Sequence, residues 1–408
     1  FWTVVYLLLD FGAIWPYLSA NAAVPLVAAF LGHLPAEAGG EALAVRLTGY
    51  GIFAAAFVPL IFGGKIYNAL EKVMVAKIVL VLGYLTFLGV MYVEWDVWTE
   101  IFTGFVRIGG LPVIDGQQLT WPQLMGAYFS DTGPVPLDFA LLATFAAIAG
   151  SGGLTNTTFS SYAREKGWGM GPRVGAIPSA VGGAGIKLSH NGKVFPIDRE
   201  SMRRWRGWRA VTLRDQLGIW IIGCILGMGI PSLVSLQFVA GRAVKGNALA
   251  AMTAQGVVDA TGAPVFWFLT LLCGFLVLAP SQVSTMDGIT RRWTDVIWTA
   301  SGRLGHLEGG KVKYVYYTIL SAYGLWGFVA LTLIPNPLVI LKMSGVLMNF
   351  ALGFSALHTL AVNCTLLPRA LRPGWLMRMS LVICATFFIG ISVIGVPDLL
   401  TALGFGAN

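Results

Sequence analysis

Apolar residues along this chain do not alternate with polar ones at a strand or amphipathic-helix period. They run in long blocks, close to the ~20 residues a helix needs to cross a bilayer core. Such windows predict spans near residues 3 to 32, 47 to 64, 73 to 93, 138 to 163, 213 to 240, 263 to 285, 314 to 334, 337 to 362 and 380 to 404. The first is long for one crossing and carries Pro16 and Pro25, so a bend is expected there, because each proline removes a backbone hydrogen bond and crowds the preceding turn. Composition agrees: of 408 residues, 56% are hydrophobic and 11% charged, where a soluble domain carries about 25% charged residues. Two water-soluble domains are excluded. An all-α polytopic membrane protein with about nine spans is predicted.

Charge then gives direction. All of the 27 Lys and Arg residues except Arg46, Arg107, Arg242, Lys245 and Lys342 fall on the side holding the loops after spans two, four, six and eight. The positive-inside rule makes that side cytoplasmic, so the segment starts inside and ends outside a cell membrane. The stretch from Glu94 to Leu137 is acidic, as an external segment can be, and Trp95, Trp98 and Trp121 read as interface anchors with a short surface helix between them. An acidic vestibule that attracts cations is the functional alternative to simple solubility there.

Residues 164–212 form the long basic cytoplasmic loop of what is otherwise one membrane domain over 1–408. IKLSHNGKVFPI, 186 to 197, alternates around Asn191-Gly192 as a small hairpin does. MRRWRGWR, 202 to 209, mixes Arg with Trp and suits anionic lipid headgroups against the membrane; nucleic-acid binding is not expected. The opening run FWTVVYLLLD is apolar from Phe1, which reads as a piece of a longer protein with helices upstream.

Catalytic chemistry finds little footing. Cys224, Cys273, Cys364 and Cys384 lie in apolar stretches without paired spacing, and His33, His190, His306 and His358 are scattered, with no nucleophile elbow, Walker or HExxH pattern. Neither an enzyme nor a bound cofactor is expected.

The fourth span carries the sharpest signal. In LLATFAAIAGSGGLTNTTFSSYAREK, Gly150, Ser151, Gly152 and Gly153 stand at mid-membrane, followed by Thr155, Asn156, Thr157 and Thr158. Glycine costs a helix about 1 kcal/mol relative to alanine, so the run invites unwinding. Freed carbonyls and N–H groups must then face protein, water or a solute. Close packing of small residues is the structural alternative, but it does not require the adjoining hydroxyls and amides, of which Asn156 and Ser160 stand at i and i+4. Two charges lie within spans: Asp10, read as a counter-charge to a cation or to Lys342 or as a helix-packing salt link, and Lys342, expected to snorkel.

LVLAPSQVSTMDG, 276 to 288, resembles the eighth helix of the Nramp family of divalent-metal transporters in Ser281, Gln282, Ser284, Thr285 and Gly288. YNALEKVMVAKIV, 67 to 79, is similar to that family's basic turn into its fifth helix. The resemblance implies an inverted-repeat, LeuT-like transporter fold with broken first and sixth helices. The nine spans would then be helices three to eleven, and span four the broken sixth. The family's Met-Pro-His falls on Gly153, Leu154 and Thr155, its next Asn on Asn156, its second histidine on Ser160, and the glutamine of its tenth helix on Asn349. Of the acids in its third helix only Asp10 remains, with Tyr17 and Ala20 where others would stand, which argues against proton coupling by that route.

The resemblance thus implies cation ligands at Gly153, Thr155, Asn156 and Asn349, supported by Gln282, Ser160 and Asp10. A thioether selects softer metals, so its replacement by Gly153 points to a harder or more hydrated cation held by oxygen. The function implied is a secondary active transporter, a symporter-like carrier of a divalent metal or other cation by alternating access. The alternatives are a sodium-coupled carrier of an amino acid or small organic solute, and a non-transporting receptor or scaffold acting through the basic loop.

Overall fold

The computed structural model describes residues 1–62, 66–107, 113–114, 117–118, 120, 122–123, 137–149, 152–169, 171, 194–242, 249–304 and 311–405. Within them the order is α1 (Trp2–Leu9), a 3-10 turn (Asp10–Gly12), α2 (Tyr17–Leu31), α3 (Gly40–Ala55), α4 (Phe57–Phe62), α5 (Ile66–Tyr92) and α6 (Trp95–Gly104). Then come α7 (Phe139–Ile148), a 3-10 segment (Gly153–Thr157), α8 (Thr158–Glu165), α9 (Arg199–Arg214), a π segment (Asp215–Trp220), α10 (Ile221–Val239) and α11 (Leu249–Thr261). The chain closes with α12 (Val265–Ala300), α13 (Val312–Leu333), α14 (Pro337–Thr365) and α15 (Trp375–Ala402). Among the described residues, strand pairing occurs where Val113–Ile114 meets Gln117–Gln118.

Nine helical stretches among the described residues are long and apolar enough to cross a membrane, which makes this an all-α polytopic membrane protein. Their outward faces carry Phe145, Ile219, Leu325, Leu333, Ile383 and Val393, large apolar side chains that are all exposed. A water-soluble protein rarely carries so continuous an apolar exterior, whereas lipid accepts it.

Local chemistry sets the helix ends. Asp138 caps α7 by accepting from Leu141 N at 2.8 Å, Asp198 caps α9 by accepting from Ser201 N at 2.8 Å, and Asn336 caps α14 by accepting from Leu338 N at 2.9 Å, with Pro337 at its first turn. α2 stops at Gly32, whose φ of 74° closes the last turn. The main core joins Ala13, Ile14 and Trp15 of span one with Ala143 and Ala147 of α7, Met286 of α12, Tyr316 and Leu320 of α13 and Met348 of α14.

Several expectations change. The first span is not one bent helix: α1 ends at Leu9, the chain passes through the 3-10 turn and an irregular stretch to Pro16, and α2 begins at Tyr17. The bend is therefore a break, while Pro25 sits inside α2. The resemblance would make this span an unbroken third helix, so two of the described spans are broken where that comparison leaves one. Span six runs to Ala300, and Arg291 and Arg292, placed by the charge count in the loop beyond it, are buried or nearly so within α12. Lys342 does not snorkel. Its ammonium pairs with Asp138, and its side chain is 13% exposed.

The short helix after Trp95 is present, with Trp98 stacked on Phe102 at 5.8 Å; Trp121 lies outside the described residues. Most of the expected hairpin, 186 to 193, also lies outside them, and Val194–Ile197 is irregular. Part of the basic loop, from Arg199, is helical and continues into span five without a gap, through the π segment. The four cysteines are free: Cys273 is buried, Cys384 exposed, and Cys224 and Cys364 lie between.

Candidate functional site between two helix breaks

The helix of span four is interrupted at Gly152 and Gly153, while Gly150 and Ser151 lie outside the described residues. The last α-type bond before the break runs from Ala149 N to Phe145 O at 2.9 Å. Gly152 is extended (φ −63°, ψ 146°), Gly153 has φ +59°, and the chain recoils as a 3-10 segment before α8. A side chain at Gly153 would be strained in that left-handed conformation. Thr155 closes the turn, its N–H donating to Gly152 O at 3.2 Å and its hydroxyl to the same carbonyl.

α14 lies against this break and against the break in span one. A Cβ at Gly152 would stand 2.5 Å from Met348 Sδ, and one at Gly153 3.2 Å from Met348 Cγ. On the other side, a Cβ at Gly12 would stand 2.8 Å from both Leu347 Cβ and Met348 N. Both interrupted backbones therefore touch one turn of one helix, and the bare glycines make that approach possible. Next to Met348, the amide of Asn349 is fully buried. Its Nδ2 donates to Ala143 O at 2.5 Å, while its Oδ1 has no hydrogen-bond partner among the described residues. Ser344 Oγ, one turn earlier on α14, is likewise buried without a partner among the described residues. An unsatisfied buried polar atom costs about 1–3 kcal/mol, so two on one helix beside two breaks mark a place where a guest has something to satisfy.

The break in span one is organised by charge. Asp10, whose side chain is 1% exposed, pairs with Arg292: Nη2 donates to Oδ1 and Oδ2 at 2.9 Å, Nε to Oδ2 at 3.1 Å, and Trp293 Nε1 to Oδ2 at 3.0 Å. The remaining guanidinium nitrogen, Nη1, donates to Thr158 Oγ1 at 2.9 Å. Arg291, the preceding residue of α12, donates from Nε to both oxygens of Asp287, one turn earlier, at 2.8 Å, and Tyr316 OH donates to Asp287 Oδ1 at 2.8 Å. Such pairs persist in low dielectric only when charge and hydrogen bonds are matched, as here. After the break, Gln282 of α12 accepts from Ser19 N at 3.2 Å and donates to Tyr323 OH at 3.3 Å.

Of the residues expected at the site, the structure brings Gly153 and Asn349 to the same segment of α14, with Thr155 half-buried just beyond. Asn156 and Ser160 are exposed, and Ser160 Oγ donates to Thr157 O at 2.7 Å. Gln282 supports span one rather than span four. Asp10 takes the salt-link reading, with Arg292 as its partner and not Lys342. Sequence reasoning missed Met348, which gives no signal in an apolar span, and Arg292, whose Asp10 partner lies 282 residues away. No family model, no curated protein and no solved structure matches this chain.

Proposed function

We propose that the protein is a membrane carrier whose solute binds where the broken fourth span meets α14, and that it works by alternating access, secondary to another gradient. One observation carries the reading: Asn349 Oδ1 is buried and without a partner among the described residues, next to Met348, against which the span-four break lies, on the same turn of α14 as a second break. Discontinuous helices near mid-membrane are a common way to offer backbone oxygens and half-helix ends to a solute. In this reading Gly153 and Thr155 supply backbone carbonyls, Asn349 its amide oxygen and Asn156 a side-chain oxygen at the rim, with Ser160 beside it. Gln282 and Asp10 hold span one in place. The solute is a cation, and a divalent metal is the reading the Nramp resemblance adds. Neutral oxygens suit a hard, partly hydrated ion.

A second reading is favoured by a specific feature. Among the described residues no group of three or more His, Cys, Asp or Glu could hold a metal, so the polar atoms on offer are neutral ones. A small organic solute, an amino acid included, with sodium as the coupling ion fits such a lining. The asymmetry of basic residues supports a cell-membrane orientation with Phe1 cytoplasmic and the last span ending outside, and the arginines of α9 support contact with anionic headgroups. Isotope uptake into proteoliposomes tests the carrier reading. Magnesium, manganese and sodium are offered in turn, then a mixture of labelled amino acids, to wild type and to Asn349→Leu. Saturable uptake of one class that Asn349→Leu loses supports the site, and uptake unchanged by the substitution removes it.

A further inference from the structure

We propose that Arg292 is a tethered cation, filling from within the chain a cation site whose oxygens come from both broken spans. Those oxygens are Oδ1 and Oδ2 of Asp10, at the residue where span one leaves its α-helix, and Oγ1 of Thr158, at the residue where span four resumes its own. All three accept from the one guanidinium at 2.9 to 3.1 Å. A carboxylate and a hydroxyl converging in a buried place form the start of an alkali or alkaline-earth ion site, since such ions take oxygen ligands. Here the positive charge arrives on a side chain, and its planar fork matches the carboxylate in two parallel contacts.

The surrounding residues fit that role. A Cβ at Gly288 of α12 would stand 3.1 Å from Thr158 Oγ1 and 3.3 Å from Arg292 Nη1, so the glycine leaves room for the guanidinium to reach across. The next buried carboxylate, Asp287, has its own partners in Arg291 and Tyr316. The charge of Asp10 is thus answered by Arg292. The consequence for coupling rests on the carrier reading: a carboxylate already occupied does not bind a free coupling ion, so a driving cation, if one is used, binds elsewhere. The site itself does not depend on transport.

The test is chemical rescue, read as thermal unfolding of the purified protein in detergent. Arg292→Ala empties the site and leaves Asp10 unpaired, so its unfolding temperature falls. Millimolar guanidinium, sodium or calcium, tested separately, raises it again with concentration, as a ligand bound only to the folded state does. Wild type and the double variant D10N/R292Q show no such response. The double variant also covers the case in which Arg292→Ala does not accumulate. It buries no charge, so it folds and melts close to wild type if the oxygens serve to hold a cation, and it is lost alongside Arg292→Ala if the cluster is merely structural. That joint loss overturns the proposal, as does an Arg292→Ala protein indifferent to all three cations. Failure of uptake with rescue intact would instead count against the carrier reading alone.

Discussion

The two helix breaks touch the same turn of α14, yet they are built from opposite materials. In span one the charged and amide side chains and Ser19 are claimed by the protein, Asp10 by Arg292 and Trp293, Ser19 by Pro16 O and Gln282, and Asn21 by Tyr17 O and Pro337 O, while the buried indole nitrogen of Trp15 has no hydrogen-bond partner among the described residues. In span four the described part of the interruption is Gly152 and Gly153, its cover is the thioether of Met348, and the amide oxygen of Asn349, next along α14, is unclaimed among the described residues. A broken helix is therefore not by itself a binding site. What distinguishes the two is whether the charged and amide side chains there have found partners, and by that criterion we propose span one as a joint and span four as the site.

The largest expected effect comes from unbalancing the joint. Arg292→Ala strands a buried carboxylate, and removing one member of a buried pair costs about 3–5 kcal/mol, so a strong loss of thermal stability is expected in the protein without added cation. Next comes the glycine hinge of span four. Gly153→Ala should lose about 1–2 kcal/mol from its left-handed backbone, and pairing it with Met348→Ala should recover the part due to the collision but not the part due to φ. Denaturation of the single and double variants separates the two contributions.

Asn349→Leu should do the reverse of Arg292→Ala. It removes an orphaned oxygen together with its Ala143 contact, so stability should stay within about 1 kcal/mol while solute binding disappears. The smallest effect lies outside the spans. Arg242, and after it Gln255, hydrogen-bonds Asp259 and holds its carboxyl below the usual range. Because the folded value is depressed, the contribution is present above the unfolded value of about 3.9 and fades as pH falls through the folded one. Asp259→Asn should flatten that acid-side slope slightly and lower stability a little at neutral pH, where the charged contacts contribute, with the difference from wild type vanishing in acid, measured by thermal unfolding across pH 3 to 7 on the order of one unit per step.

What could be read from sequence follows from how local each cause is. The nine spans are legible because lipid demands ~20 apolar residues in a row, and the span-four break because Gly150 to Gly153 carry the weakness in their own composition. Span one showed only Pro16 and Pro25, which signal bending. The carboxylate at its break, Asp10, is paired with Arg292, hundreds of positions away, and that residue looked like loop charge because the apolar window ends before the helix does. Lys342 misled for the same reason: its partner Asp138 is 204 residues earlier, at the cap of α7. Long-range pairing of charges leaves no periodic trace, whereas a solvent requirement does.

The central claim is that a solute enters where the Met348–Asn349 turn of α14 meets the fourth-span break, and protection of an engineered thiol there tests it most directly. With the native cysteines replaced, Thr155→Cys is placed at the edge of the break and its alkylation rate by a small water-soluble maleimide is followed in proteoliposomes as the transported solute is added. The account predicts labelling that slows with solute concentration along the same curve as uptake saturates, and that loses this dependence in Asn349→Leu. Labelling that proceeds at one rate at every solute concentration, in a protein that still transports, would contradict it.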